Sequence, residues 1–136
     1  RSTHGAASGV DKGAYILKDA STAPRVVIIA TGSEVGIALD AQTALEADGI
    51  ATRVVSAPCL EWFNEETESY RSSVIPTTAL RVSVEAGIAQ GWREYVGDKG
   101  IVISLDHFGA SAGAGKLFAE FRFSAERIVG DIKKAL

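Results

Sequence analysis

Two stretches of the chain gather side chains able to do chemistry. The first is Thr31-Gly32-Ser33-Glu34. It lies between an apolar run, Arg25 to Ala30, and the start of a helical pattern. Backbone N–H groups and the positive end of a helix dipole make such a place able to hold an anion or a phosphate. Neither nucleotide fingerprint is met, because there is no G-x-G-x-x-G and no Walker lysine. The same residues also read as a plain helix start. Thr31 and Glu34 have the spacing of a capping box, in which hydroxyl and carboxylate each satisfy an orphan N–H. That bland reading is favoured over the ligand. The second stretch is Asp106-His107-Phe108-Gly109-Ala110-Ser111. It holds the residue types of a hydrolase triad, but triad members are brought together by the fold and not by adjacency. Gly109 to Gly113 matches the letters G-x-S-x-G, yet an elbow needs a strand running directly into the serine. Here several residues separate Leu105 from Ser111. His107 and Ser111 therefore stand only as a second, weaker anion-binding candidate. His4, His107 and Cys59 are scattered, so no three metal ligands converge. The residues alone supply no catalytic set and no metal set.

The elements that would position these loops follow from hydrophobic patterning. Ala14 to Lys18 is a short β-favouring run, closed by a turn-rich stretch that reaches Pro24. Arg25 to Ala30 is apolar on both faces, as in a central parallel strand covered on both sides. Val35, Ala38, Leu39, Gln42 and Leu45 mark one face of a following helix. Gly49 supplies the left-handed residue that ends it. Thr52 to Ser56 is the next strand, so a right-handed βαβ unit with parallel strands is expected. Glu61 to Ser73 reads as one or two short helices with a solvated acidic face, stopped before Pro76. Trp62, Phe63, Trp92 and Tyr95 are expected to be core or interface anchors. Leu80 to Val84 and Ile101 to Leu105 are further strands. Two helices are expected to close the chain, one from about Gly113 to Phe121 and one capped by Ser124. The order predicts a three-layer α/β/α sandwich.

Composition excludes several classes. A chain of 136 residues, 46% of them hydrophobic, is long enough to bury a core as one domain. Its formal net charge of -3 is not the footprint of a nucleic-acid binder. A single cysteine, Cys59, cannot make an internal disulfide and suits a cytoplasmic location. No apolar stretch is long enough to span a bilayer. Residues 1–12 are small and polar and read as a linker, or the boundary of an excised piece, ahead of a domain over residues 13–136.

Several ordered motifs then resemble one family. Gly13 to Asp19, Ile29-Ala30-Thr31-Gly32-Ser33-Glu34-Val35 and Arg53 to Pro58 are similar to successive stretches of the transketolase C-terminal domain. Tyr70 to Pro76, Arg81 to Gly87, Trp92 with Tyr95-Val96-Gly97, and Phe108 to Ala112 continue the series. Gly113 stands where the family often has proline, and Phe121-Arg122-Phe123-Ser124 where Phe-Gly-Phe-Thr is common. The E1 subunits of 2-oxo acid dehydrogenases and deoxyxylulose-phosphate synthases carry a similar domain, but these motifs look more like transketolase. The resemblance implies a mixed, mainly parallel five-stranded sheet with helices on both faces. It implies a parent enzyme, a cytoplasmic homodimer, that moves a two-carbon ketol unit between sugar phosphates in the pentose phosphate pathway. Thiamine diphosphate and Mg²⁺ would be held by the preceding domains, which also bind the substrates. No catalytic or cofactor-binding residue carries over to this chain, which by itself is expected to be inactive. Its expected role is to pack on those domains and support the dimer. The alternative is a stand-alone or regulatory module that binds an anion or nucleotide at the two loops above.

Overall fold

A computed structural model of the chain describes residues 13–31, 34–57, 60–86, 96, 100–105 and 114–136. The expected linker, Gly32, Ser33, Cys59, Trp92, Tyr95, His107 and Ser111 lie outside the described residues. Five strands form one sheet: β1 (Tyr15–Lys18), β2 (Val26–Ala30), β3 (Thr52–Ser56), β4 (Leu80–Ala86) and β5 (Ile101–Leu105). Helix α1 spans Glu34–Ala47, α2 Leu60–Asn64, α3 Glu68–Val74, and the last helix, α4, Ala114–Ala135. The strand order is β1-β3-β2-β4-β5. All neighbours are parallel except β1, which runs antiparallel to β3. The expected mixed, mainly parallel sheet is what forms.

β2 sits at the centre of the sheet because its side chains are apolar on both faces. All five of its residues are buried. Side chains alternate across a strand, so Val26, Ile28 and Ala30 face one way and Val27 and Ile29 the other. The first set packs with Val54, Val82, Val84 and Ile103 against Ala38, Ala41 and Leu45 of α1 and Ile128 and Ile132 of α4. The second set packs with Val55 and Ala57 against Phe63, Val74, Ile75 and Val96. Two cores therefore sandwich the sheet, which makes three layers. Full burial of one such isoleucine or leucine contributes about 1.5–3 kcal/mol.

The turn after α1 follows the sequence closely. Gly49 has φ +81. Its N–H donates to the Glu46 carbonyl at 3.0 Å, and the Ile50 N–H reaches back to the Leu45 carbonyl at 2.9 Å. This paired closure is the Schellman arrangement, and the accompanying apolar contact is Ile50 with Leu45 in the same core. Lys133 of α4 makes a short ion pair with Asp48 in that turn, tying the two helices on this face.

One expectation is corrected. The C-terminal segment is one helix of 22 residues and not two. Ser124 is a good cap residue, but in mid-helix it costs only a few tenths of a kcal/mol, and no proline or glycine stands beside it to break the ladder. Ala125, Ile128 and Ile132 also keep helical spacing on the buried side. Helix α1 is described from Glu34. The Glu34 N–H donates to the Thr31 carbonyl at 3.1 Å.

Two glycines separate backbone conformation from packing. Neither Gly49 nor Gly130 would place a Cβ within 4 Å of another group. Gly49→Ala is expected to destabilise by about 1 kcal/mol, because only its positive φ is at issue. Gly130→Ala, inside α4, is expected to stabilise by about 0.5–1 kcal/mol. Urea unfolding of the two variants checks both signs.

Candidate functional site

The carboxyl ends of the parallel strands define the edge where the first candidate lies. β2 ends at Ala30, level with Ser56 of β3 and Val84 of β4. The Ala57 N–H adds one more bond, to the Ala30 carbonyl at 2.9 Å. From there β2 leads into α1 on one face, while β3 leads into α2 and α3 on the other. Adjacent strands whose helices depart to opposite faces leave a crevice between them, and open α/β sheets use such crevices for ligands. Thr31 is half-buried at this place and Glu34 is buried. β5 ends at the same edge, Leu105 pairing with Ala86 of β4. The topology thus brings the starts of both candidate loops to one edge, with β4 between them. Gly32, Ser33, His107 and Ser111 themselves lie outside the described residues.

Glu34 changes the electrostatics of that edge. A carboxylate in the first turn is favoured by the helix dipole. Among the described residues no three His, Cys, Asp or Glu side chains gather as a metal site.

Polar groups inside the fold serve as struts. Gln42 is buried on the α1 face that packs on the sheet. Its amide donates to the carbonyls of Thr52 at 3.0 Å and Asp19 at 3.3 Å, linking α1 to the start of β3 and the end of β1. The Glu46 carboxylate accepts from the Thr52 N–H at 2.8 Å and from the Ser21 hydroxyl at 2.7 Å. The Thr52 N–H, then the Ser21 groups and the Lys18 charge, outweigh partial desolvation and hold Glu46 below its ordinary range. Arg53 donates from Nε to Asp19 at 2.8 Å and from Nη1 to the Ser73 carbonyl at 2.8 Å and the Val74 carbonyl at 3.1 Å. It thereby closes the negative end of α3. Burial is the largest influence on Asp19 and pushes it up. The Arg53 hydrogen bond, the Ala20 N–H and the Arg53 charge together prevail and hold it low. The Tyr70 hydroxyl donates to the Ala14 carbonyl at 2.8 Å, and its ring meets Phe63 edge-on at 6.1 Å. Desolvation, then the Glu66 charge, raises the Tyr70 phenol.

Of the expected aromatic anchors that are described, Phe63 is buried in the second core, whereas Trp62 is 52% exposed. Trp62 is a surface aromatic and not a core residue. Sequence reasoning also missed a cleft between α3 and the start of β4, lined by Arg71 and Arg81. The available signal was an arginine at an inward-facing position of a strand, following another across the Pro76 turn.

The comparisons with known proteins agree with one another. The family described as Transketolase-like TK C-terminal domain matches residues 13–124. The transketolase of Mycobacterium tuberculosis is 47% identical over 136 residues, covering 96% of this chain and 19% of its own length. The transketolase of Aquifex aeolicus is 47% identical over 133 residues, covering 97% of this chain and 19% of its own. Among solved structures, transketolase from Leishmania mexicana superposes with a TM-score of 0.81 at 36% identity, over 98% of this chain and 19% of that one. Transketolase from Pichia stipitis in complex with sedoheptulose 7-phosphate gives a TM-score of 0.82 at 34% identity, with the same coverage of 98% and 19%. The chain spans about a fifth of the length of these relatives.

The low-lying carboxylates set the acid limit of the fold. Asp19 and Glu46 both have folded values below their unfolded ones. The stability they supply is complete above about pH 5 and is lost as the pH falls through about 4 and below. Asp19→Asn and Glu46→Gln are expected to lower stability at neutral pH and to flatten its decline in acid. Urea midpoints measured from pH 7 to pH 3 check both effects.

Proposed function

Because this chain belongs to the transketolase C-terminal domain family, we propose that it is the non-catalytic C-terminal domain of an enzyme moving a two-carbon ketol unit between sugar phosphates. The observation that carries this reading is the match at 47% identity over 96% of the chain, against 19% of the relative's length. In this proposal residues 1–12 are a linker and residues 13–136 the domain. Thiamine diphosphate and Mg²⁺ are held by other domains of the same polypeptide, in a cytoplasmic homodimer. Thiamine diphosphate supplies the carbanion chemistry; this chain's contribution is packing. None of the helices among the described residues is long and apolar enough to cross a membrane.

Trp62 gives the packing role a handle. An aromatic of this size left 52% exposed suits an interface, where it would bury against another domain. Trp62→Ala is expected to change the stability of the isolated chain by less than about 0.5 kcal/mol. In the full-length enzyme it is expected to lower the melting temperature and weaken the dimer, read by differential scanning fluorimetry and sedimentation. Removing the whole domain is expected to abolish dimer stability and ketol transfer, while the isolated chain shows no transfer at any concentration. Turnover and dimerisation unchanged by that removal would end the proposal. The second reading, an anion held at Thr31 to Glu34 with His107 and Ser111, draws support from the crevice at the carboxyl end of β2. Calorimetry with inorganic phosphate on Ser33→Ala and Ser111→Ala chains distinguishes it.

A further inference from the structure

A cleft of about 260 Å³ opens between α3 and the start of β4, at the opposite end of the sheet from the candidate loops. Asn64, Glu68, Arg71, Ser72, Thr77 and Arg81 line it. Arg71 and Arg81 both line this cleft, in a chain whose formal charge is -3. The neighbouring arginine on this side, Arg53, is consumed by Asp19 and by the last carbonyls of α3. Arg71 is used differently. Its Nε donates to the Glu66 carbonyl at 3.3 Å, which fixes the plane of the group. It makes no ion pair among the described residues. The two Nη groups form the remaining edge of the guanidinium, and that edge matches two oxygens of a phosphate.

The surroundings suit a small anion. Ser72, Thr77 and Asn64 add neutral hydrogen-bonding groups to the same walls. The negative end of α3 would repel an anion, but the Arg53 guanidinium already sits on its carbonyls. The volume lies just below the roughly 300–1,000 Å³ of clefts that enclose drug-sized ligands, so the occupant is small. Glu68 is the one acid on the cleft. It opposes a bare anion and would accept a bond from a hydroxyl beside one.

We propose that this cleft binds a small phosphate group, either as the free ion or on a small hydroxylated ester, between Arg71 and Arg81. The test is amide NMR and calorimetry on the 136-residue chain at low ionic strength, with inorganic phosphate and with glycerol 3-phosphate as separate probes. Saturable shifts are expected at Asn64, Arg71, Ser72, Thr77 and Arg81. Arg71→Met, which keeps the aliphatic stem, is expected to weaken binding about tenfold, the effect of losing one charge-assisted interaction. Glu68→Gln is expected to tighten inorganic phosphate, a gain that a merely structural change would not produce. Arg127→Met, on the solvent face of α4, is expected to leave the affinity unchanged. Tighter binding of the ester identifies an ester site, and equal binding identifies a site for the ion itself. Linear, non-saturating shifts would overturn the proposal. So would equal losses in Arg71→Met and Arg127→Met.

Discussion

All five side chains of β2 are withdrawn from water. Successive side chains of a strand point to opposite faces, so that burial requires cover on both sides of the sheet. The cover comes from α1 and α4 on one side and from α2, α3 and Val96 on the other. Two cores, separated by one strand's thickness, share β2 as a common wall. A polar residue at Ile28 or Ile29 would expose one of them, and no surface strut could compensate for the loss.

The polar struts have a narrower task. They set where the cover lies. Gln42 links α1 to the ends of β1 and β3, Glu46 gathers the loop before β2, and Arg53 joins Asp19 to the last turn of α3. Each uses a charge or amide to satisfy backbone groups that strand and helix ends leave over. The perturbed carboxylates of the described residues therefore lie at joints of the scaffold and not at the carboxyl edge of the sheet.

The family relation and the geometry bear on different questions. Membership in the transketolase C-terminal domain family rests on the match over residues 13–124 and on superposition with solved transketolases. The exposed ring of Trp62 and the arginine-lined cleft rest on this chain's own surface. The first points outward, to relatives of which this chain spans about a fifth. The second is a property of α2, α3 and the start of β4.

The elements were legible in the residues wherever one local pattern dominated. The doubly apolar run before Ala30 determined a central strand, and Gly49 determined the end of α1, because each depends on neighbours only a few positions away. The sequence also determined the family, through the order and spacing of its motifs. The end of the chain was harder to read. Ser124 carries a cap-type side chain, yet the burial of Ala125, Ile128 and Ile132 against the sheet keeps one helix running through it. Whether Trp62 or Phe63 turns inward, and whether Arg71 and Arg81 meet on one cleft, only the tertiary structure decided. Those outcomes depend on contacts between segments distant in the chain, and no local pattern of residue types encodes them.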